Sequence, residues 1–162
     1  MKILYGRCGA SHEEQHAAAR ALLREGLRLL GRDPETTRIE IAENGKPEFQ
    51  NEPALYFNLS HTPGLAVCAI GEAPCGIDVE TAGRAIPDRV SDRYLGGVRG
   101  EEAVEHWTRL ESFGKLTGRG LAAGAIPESV RFYTFREPEG FIITLCIGKE
   151  ITKESITVVS CS

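Results

Sequence analysis

No run of apolar residues in this chain is long enough to span a bilayer, and Met1-Lys2-Ile3-Leu4-Tyr5-Gly6 is not followed by the apolar stretch of a secretory signal. A cytoplasmic protein without membrane partners is the expectation. The five cysteines are odd in number and include no Cys-x-x-Cys, which argues against a zinc site or a disulfide framework and for reduced thiols. Cys68, Cys75 and Cys146 fall in apolar strand patterns and read as core fillers rather than nucleophiles. Basic charge is also in deficit. With 19 Lys and Arg against 23 Asp and Glu the formal charge is −4, which weighs against a general nucleic-acid binder. What is present, 162 residues at 41% hydrophobic, suffices for one compact domain or two small lobes sharing a core.

Along the chain, Lys2 to Tyr5 reads as an opening strand, and Ser11-His12-Glu13-Glu14 supplies a capping box for the helix that follows. Ala18, Leu22, Leu23, Leu27, Leu29 and Leu30 give that helix an apolar face, and Gly31 and Asp33-Pro34 mark its end. Arg20 and Arg24, four apart, share a face that by itself reads as solvated surface charge, with an anion clamp as the functional alternative. Thr37 to Ile41 alternates as a strand and breaks at Asn44-Gly45. Leu55 to Leu59 and Leu65 to Ile70 flank Ser60-His61-Thr62-Pro63-Gly64, a hairpin pattern expected to carry Ser60 and His61 at its mouth. Pro87 opens a short amphipathic helix bearing Arg89 and Arg93, and Gly96-Gly97 and Gly100 precede a second long helix through Trp107 to about Leu116. Strands over Val130 to Phe135, Phe141 to Ile147 and Ile156 to Val159 finish the chain.

The two halves repeat one order of elements. The expected fold is therefore α+β, built of two similar α/β lobes over 1–73 and 74–162 with pseudo-two-fold symmetry and a cleft between them.

Between the halves stands Gly76-Ile77-Asp78-Val79-Glu80, whose alternation places both carboxylates on one face and both aliphatics on the other. Taken alone this is a half-exposed edge strand. The second long helix adds Trp107, Glu111 and Lys115 on one stripe, where Glu111 and Lys115 by themselves read as a surface ion pair worth about 0.3–0.5 kcal/mol. Together, three carboxylates, a lysine and the Ser-His pair suit a hard divalent ion and a diphosphate.

In order, Gly45-Lys46-Pro47, Phe57-Asn58-Leu59-Ser60-His61, Gly76-Ile77-Asp78-Val79-Glu80 and Trp107-Thr108-Arg109-Leu110-Glu111-Ser112-Phe113-Gly114-Lys115 resemble the motifs of the Sfp-type 4'-phosphopantetheinyl transferases. The resemblance runs from about Arg20 to Val130. It implies transfer of the phosphopantetheine arm of coenzyme A to a serine of an apo acyl, aryl or peptidyl carrier protein, with release of adenosine 3',5'-bisphosphate, by a monomer. It implies magnesium, or manganese in its place, held by Asp78, Glu80 and Glu111. Asp78, Glu111 and Lys115 become the catalytic residues, with Lys115 on the transferring phosphate. Lys46, Pro47, Ser60 and His61 match coenzyme A contacts, and Arg20 matches an arginine near the 3'-phosphate. The arginines of 84–99 offer a landing patch for an acidic carrier. Three departures stand out: Leu110 where the family usually has lysine, a short amino-terminal region without the usual basic segment, and a compact, glycine-rich span from Glu80 to Trp107. They imply slow or narrow transfer and keep a weakened coenzyme A or carrier-binding module as the alternative.

Overall fold

The computed structural model describes residues 1–161. Strand β1 (Lys2–Arg7) leads to helix α1 (His12–Leu29), whose amino terminus is closed by the expected box: the Ser11 hydroxyl accepts from the Glu14 amide, and the Glu14 carboxylate accepts from the Ser11 amide. A small hairpin, β2 (Ile39–Ile41) and β3 (Pro47–Phe49), precedes β4 (Tyr56–Thr62) and β5 (Leu65–Gly71). The second half runs β6 (Cys75–Thr81), α2 (Asp88–Tyr94), α3 (Gly100–Thr117), β7 (Val130–Phe135), β8 (Phe141–Gly148) and β9 (Thr157–Cys161).

The main sheets have the orders β4-β5-β1-β9 and β6-β8-β7. All their neighbours are antiparallel except β1 and β9, which run parallel with Leu4 opposite Val159. Sequence order groups β9 with the second lobe; the fold adds it to the first sheet, where it covers the β1 edge that β5 leaves open.

Burial follows the pleat. On β5, Ala66, Cys68 and Ile70 face α1 and join Leu22, Leu23 and Leu27 in one core, while Leu65, Val67 and Ala69 face the other sheet. That second core takes Ile77 and Val79 of β6 and Ile143, Leu145 and Ile147 of β8, so the layers run α1, first sheet, second sheet, α3. Cys68, Cys75 and Cys146 are buried and free as expected; burial pushes Cys75 and Cys146 up to about 12 and Cys68 well above its usual value. No helix among the described residues is long and apolar enough to cross a membrane.

The two sheets are joined at β4 and β6 by side chains instead of a backbone ladder. Asn58 Oδ1 accepts from the Ile77 amide at 2.8 Å and Ser60 Oγ from the Val79 amide at 3.3 Å, satisfying donors that point away from β8. Polar residues in an apolar strand therefore tie the two sheets together.

Candidate active site

The acidic face of β6 lies under α3. Gly76 makes this close approach possible: a Cβ there would fall 2.0 Å from the Ser112 carbonyl oxygen and 2.5 Å from the Leu116 nitrogen. Two residues on, Asp78 is buried beneath the same helix, opposite Thr144 of β8, whose hydroxyl meets Thr108 of α3 at 2.7 Å.

Lys115, in the last turn of α3, reaches back to this floor. Its Nζ donates to Asp78 Oδ1 at 2.7 Å and to Ser60 Oγ at 2.8 Å, and Ser60 Oγ donates to Asp78 Oδ1 at 2.9 Å. Asp78 Oδ2 is buried and has no hydrogen-bond partner, a rare condition for a carboxylate oxygen. Ser60 is thus not at a hairpin mouth. Strand β4 continues through Thr62, the turn is Pro63-Gly64, and the strand's alternation aims Ser60 at β6 while His61 points to α1.

Glu111 lies on the α3 stripe between Trp107 and Lys115. Burial raises its carboxyl above the ordinary value, and the Asp78 charge raises it further, while Lys115 and Arg84 pull it back. Glu80, farther along β6, binds Arg84 in an ion pair, and that guanidinium lies 5.6 Å over the Trp107 ring. Asp78, Lys115 and Ser60 therefore meet in one place, with Glu111 close enough to feel the Asp78 and Lys115 charges, whereas the Glu80 carboxylate is turned to Arg84. As the side chains stand, no three carboxylate, histidine or cysteine groups among the described residues close around one ion position. The donor set still fits a hard cation: all carboxylate oxygens, one of them buried and unpartnered.

The remaining predicted residues are dispersed. His61 Nδ1 lies 3.0 Å from Gln15 Oε1, and both residues line an open cleft with Glu80, Thr81 and Arg84. Lys46 Nζ donates to the carbonyls of Cys75 and Leu116, both at 3.2 Å, so it ties the small hairpin to the end of α3. Pro47 lines a separate hollow with Lys46, Phe49 and Tyr56. Arg20 is exposed on α1, and Arg24 pairs with Glu35. In the arginine patch, Arg84 pairs with Glu80, and Arg99 with Asp88 and Asp92; exposed Arg89 and Arg93 are outside these pairs. Leu110 lines a groove with Tyr94, Leu95, Ile126 and Phe132 instead of the cleft at Asp78.

Sequence reasoning did not single out Asn58 as a structural tie or Gly76 as the contact point with α3. For Gly76 the only sequence signal was a glycine inside a strand, which can mark close backbone approach.

No protein-family model matches the chain. Among curated proteins it is 25% identical over 154 aligned positions to a 4'-phosphopantetheinyl transferase of Bacillus pumilus, covering 76% of this chain and 66% of the relative. It is 25% identical to the 4'-phosphopantetheinyl transferase Sfp of Bacillus subtilis, covering 79% and 70%, and 28% identical to the 4'-phosphopantetheinyl transferase HetI of Nostoc, covering 68% and 54%. The chain thus spans between about half and 70% of the length of the curated relatives it matches. With the four motif stretches in order at the entry to β3 and on β4, β6 and α3, the chain is similar to Sfp-type 4'-phosphopantetheinyl transferases.

Proposed function

We propose that the chain transfers the phosphopantetheine arm of coenzyme A to a serine of an apo acyl, aryl or peptidyl carrier protein, in a cytoplasmic monomer. The observation that carries this reading is the junction of Asp78, Ser60 and Lys115 under α3, with the Glu111 carboxyl within reach of the Asp78 and Lys115 charges. The halves 1–73 and 74–162, with β9 lent to the first sheet, are read as two related lobes, since β1-β5-β4 and β6-β8-β7 take the same order within their sheets.

In this reading the serine oxygen forms a bond to the phosphorus bearing the pantetheine arm. The bond from that phosphorus to the oxygen bridging the two phosphates breaks, and adenosine 3',5'-bisphosphate leaves with the electron pair. Lys115 offsets negative charge on the phosphoryl oxygens, with Asp78 and Ser60 fixing its ammonium. Glu111 accepts the serine proton; its raised carboxyl value brings it closer to the strength a base needs near neutral pH, an aid typically worth about 10²–10⁴-fold. Asp78, Glu80 and Glu111 are the residues that would hold magnesium, or manganese, which supplies further charge neutralisation to the diphosphate when bound.

Glu111 links activity to stability with a definite sign. A carboxyl value raised on folding means the native state binds that proton more tightly than the unfolded chain. The stabilising contribution is complete below the unfolded value and is lost as pH rises through the folded one. At pH 7, Glu111→Gln is therefore expected to raise the melting temperature while transfer falls at least about 100-fold. Differential scanning fluorimetry together with chromatographic release of adenosine 3',5'-bisphosphate checks both halves. A variant less stable than wild type at pH 7, or one equally active, contradicts the assignment.

Exposed Arg89 and Arg93 are the carrier-facing charges in this reading. Reversing both to Glu is expected to raise KM for the carrier about tenfold, with KM for coenzyme A unchanged. Unchanged carrier kinetics remove the docking role.

A further inference from the structure

The carboxylate face of β6 is charge-balanced from within the chain. Asp78 is bonded to Lys115, and Glu80, whose side chain is only 13% exposed, is paired with Arg84. A tight turn at the end of β6 delivers Arg84 to that position: its amide donates to the Thr81 carbonyl at 3.0 Å, and the Ala82 amide donates to the Gly140 carbonyl at 2.9 Å. The side chain is thereby returned over the face that the backbone has just left. There the guanidinium is held on two sides, by the Glu80 carboxylate and by the Trp107 ring, whose centre is 5.6 Å away. The same charge reaches Glu111, whose carboxyl is raised by burial and by Asp78 and is drawn back by Lys115 and Arg84. An exposed arginine–glutamate pair ordinarily contributes little. Here the carboxylate is nearly buried and the cation is docked on an aromatic face, so the pair fixes where Glu80 points.

We propose that Arg84 is a built-in counter-ion that competes with a divalent cation for Glu80, and that it leaves both Glu80 and the Trp107 ring when a metal binds. This rests on the reading of Asp78, Glu80 and Glu111 as the metal-holding set, and it accounts for Glu80 being turned away from the other two. With all three carboxylates ionised, Lys115 and Arg84 leave the cleft one net negative charge; without Arg84 the residual charge is two, which matches a divalent ion. The arginine thus spares the metal-free protein an unbalanced carboxylate in a nearly buried position, and the same contact weakens its hold on the bare ion. In a partly exposed cleft, one positive charge a few ångströms from a divalent cation lowers its affinity by about tenfold or more. Lysine, a compact and strongly hydrated charge, does not stack in this way; arginine does.

Two titrations of the full chain test this, both without coenzyme A or carrier. Trp107 is the chain's one tryptophan, so its emission reports on the ring from which Arg84 withdraws. Magnesium is expected to change the emission of the wild-type protein saturably and to leave that of Arg84→Gln unchanged, although the variant binds the ion. Calorimetry with manganese at low salt is expected to give Arg84→Gln about tenfold tighter binding than wild type. Arg24→Gln makes the same charge change at a residue paired with Glu35, and it should bind as wild type does. In a Glu80→Gln background the gain from Arg84→Gln should shrink several-fold, because the competition acts through that carboxylate. A merely structural Arg84 would lower the melting temperature of the variant without tightening metal binding. Equal or weaker manganese binding by Arg84→Gln, a gain matched by Arg24→Gln, or a wild-type emission that ignores magnesium at concentrations where calorimetry shows binding overturns the proposal. Carrier modification by the same preparation would leave the transferase reading standing in that event. Failure of wild type and variant alike to bind either ion removes the proposal together with the metal-holding assignment.

Discussion

Lys115→Met is expected to lower carrier modification by at least about 100-fold and to destabilise the fold by about 3 kcal/mol. Among the described residues the ammonium is the only cation bonded to Asp78, whose side chain is 7% exposed, and it also holds Ser60 in place. Methionine fills the same volume without charge, leaving a buried carboxylate with a single serine donor. The stability cost falls toward the lower end for a buried pair because the Lys115 side chain keeps 29% exposure to water. A cycle separates the two effects. Adding Asp78→Asn to Lys115→Met should recover much of the stability, by removing the stranded charge, while transfer stays lost. Urea denaturation and carrier modification by the four proteins of the cycle check this. Recovery of activity in the double variant would mean that the pair serves only the fold.

Gly76→Ala should be the most damaging one-carbon addition in the chain. The new Cβ would meet backbone, Ser112 O at 2.0 Å and Leu116 N at 2.5 Å, and backbone cannot rotate away as a flexible side chain can. Helix α3 must lift from β6, at a cost of about 3 kcal/mol or more. Because α3 carries Glu111 and Lys115 and β6 carries Asp78, the lift separates the site's two halves. Transfer should fall even at temperatures where the variant remains folded. An urea midpoint equal to wild type would contradict the contact between α3 and β6.

The parts of this fold legible in sequence are those governed by local rules. The capping box at Ser11 and Glu14, the alternation of β6 and the stripe of Trp107, Glu111 and Lys115 each follow from a period of two or 3.6, and the structure places them as that period requires. What was not legible depends on partners far along the chain. Ser60 looked like a turn residue because Pro63-Gly64 follows it, yet one more pair of strand residues carries it into the interior against Asp78, 18 residues away. Lys46 and Arg84 looked free for phosphate or carrier. The first instead bonds the carbonyls of Cys75 and Leu116, and the second bonds Glu80. Sheet membership of β9 is a choice among open edges, and no local pattern in Thr157–Cys161 distinguishes them. The gathering of His12, His16 and His61 was not legible either, because only the packing of β4 on α1 brings His61 to the two helix residues.

The most direct test of the account is the intact mass of an apo carrier protein after incubation with this chain, coenzyme A and magnesium. The account predicts a gain of one phosphopantetheine on the carrier's serine, absent when Asp78 or Glu111 is replaced by alanine and absent when the metal is chelated. A carrier of unchanged mass, despite bound coenzyme A and a folded protein, would contradict it.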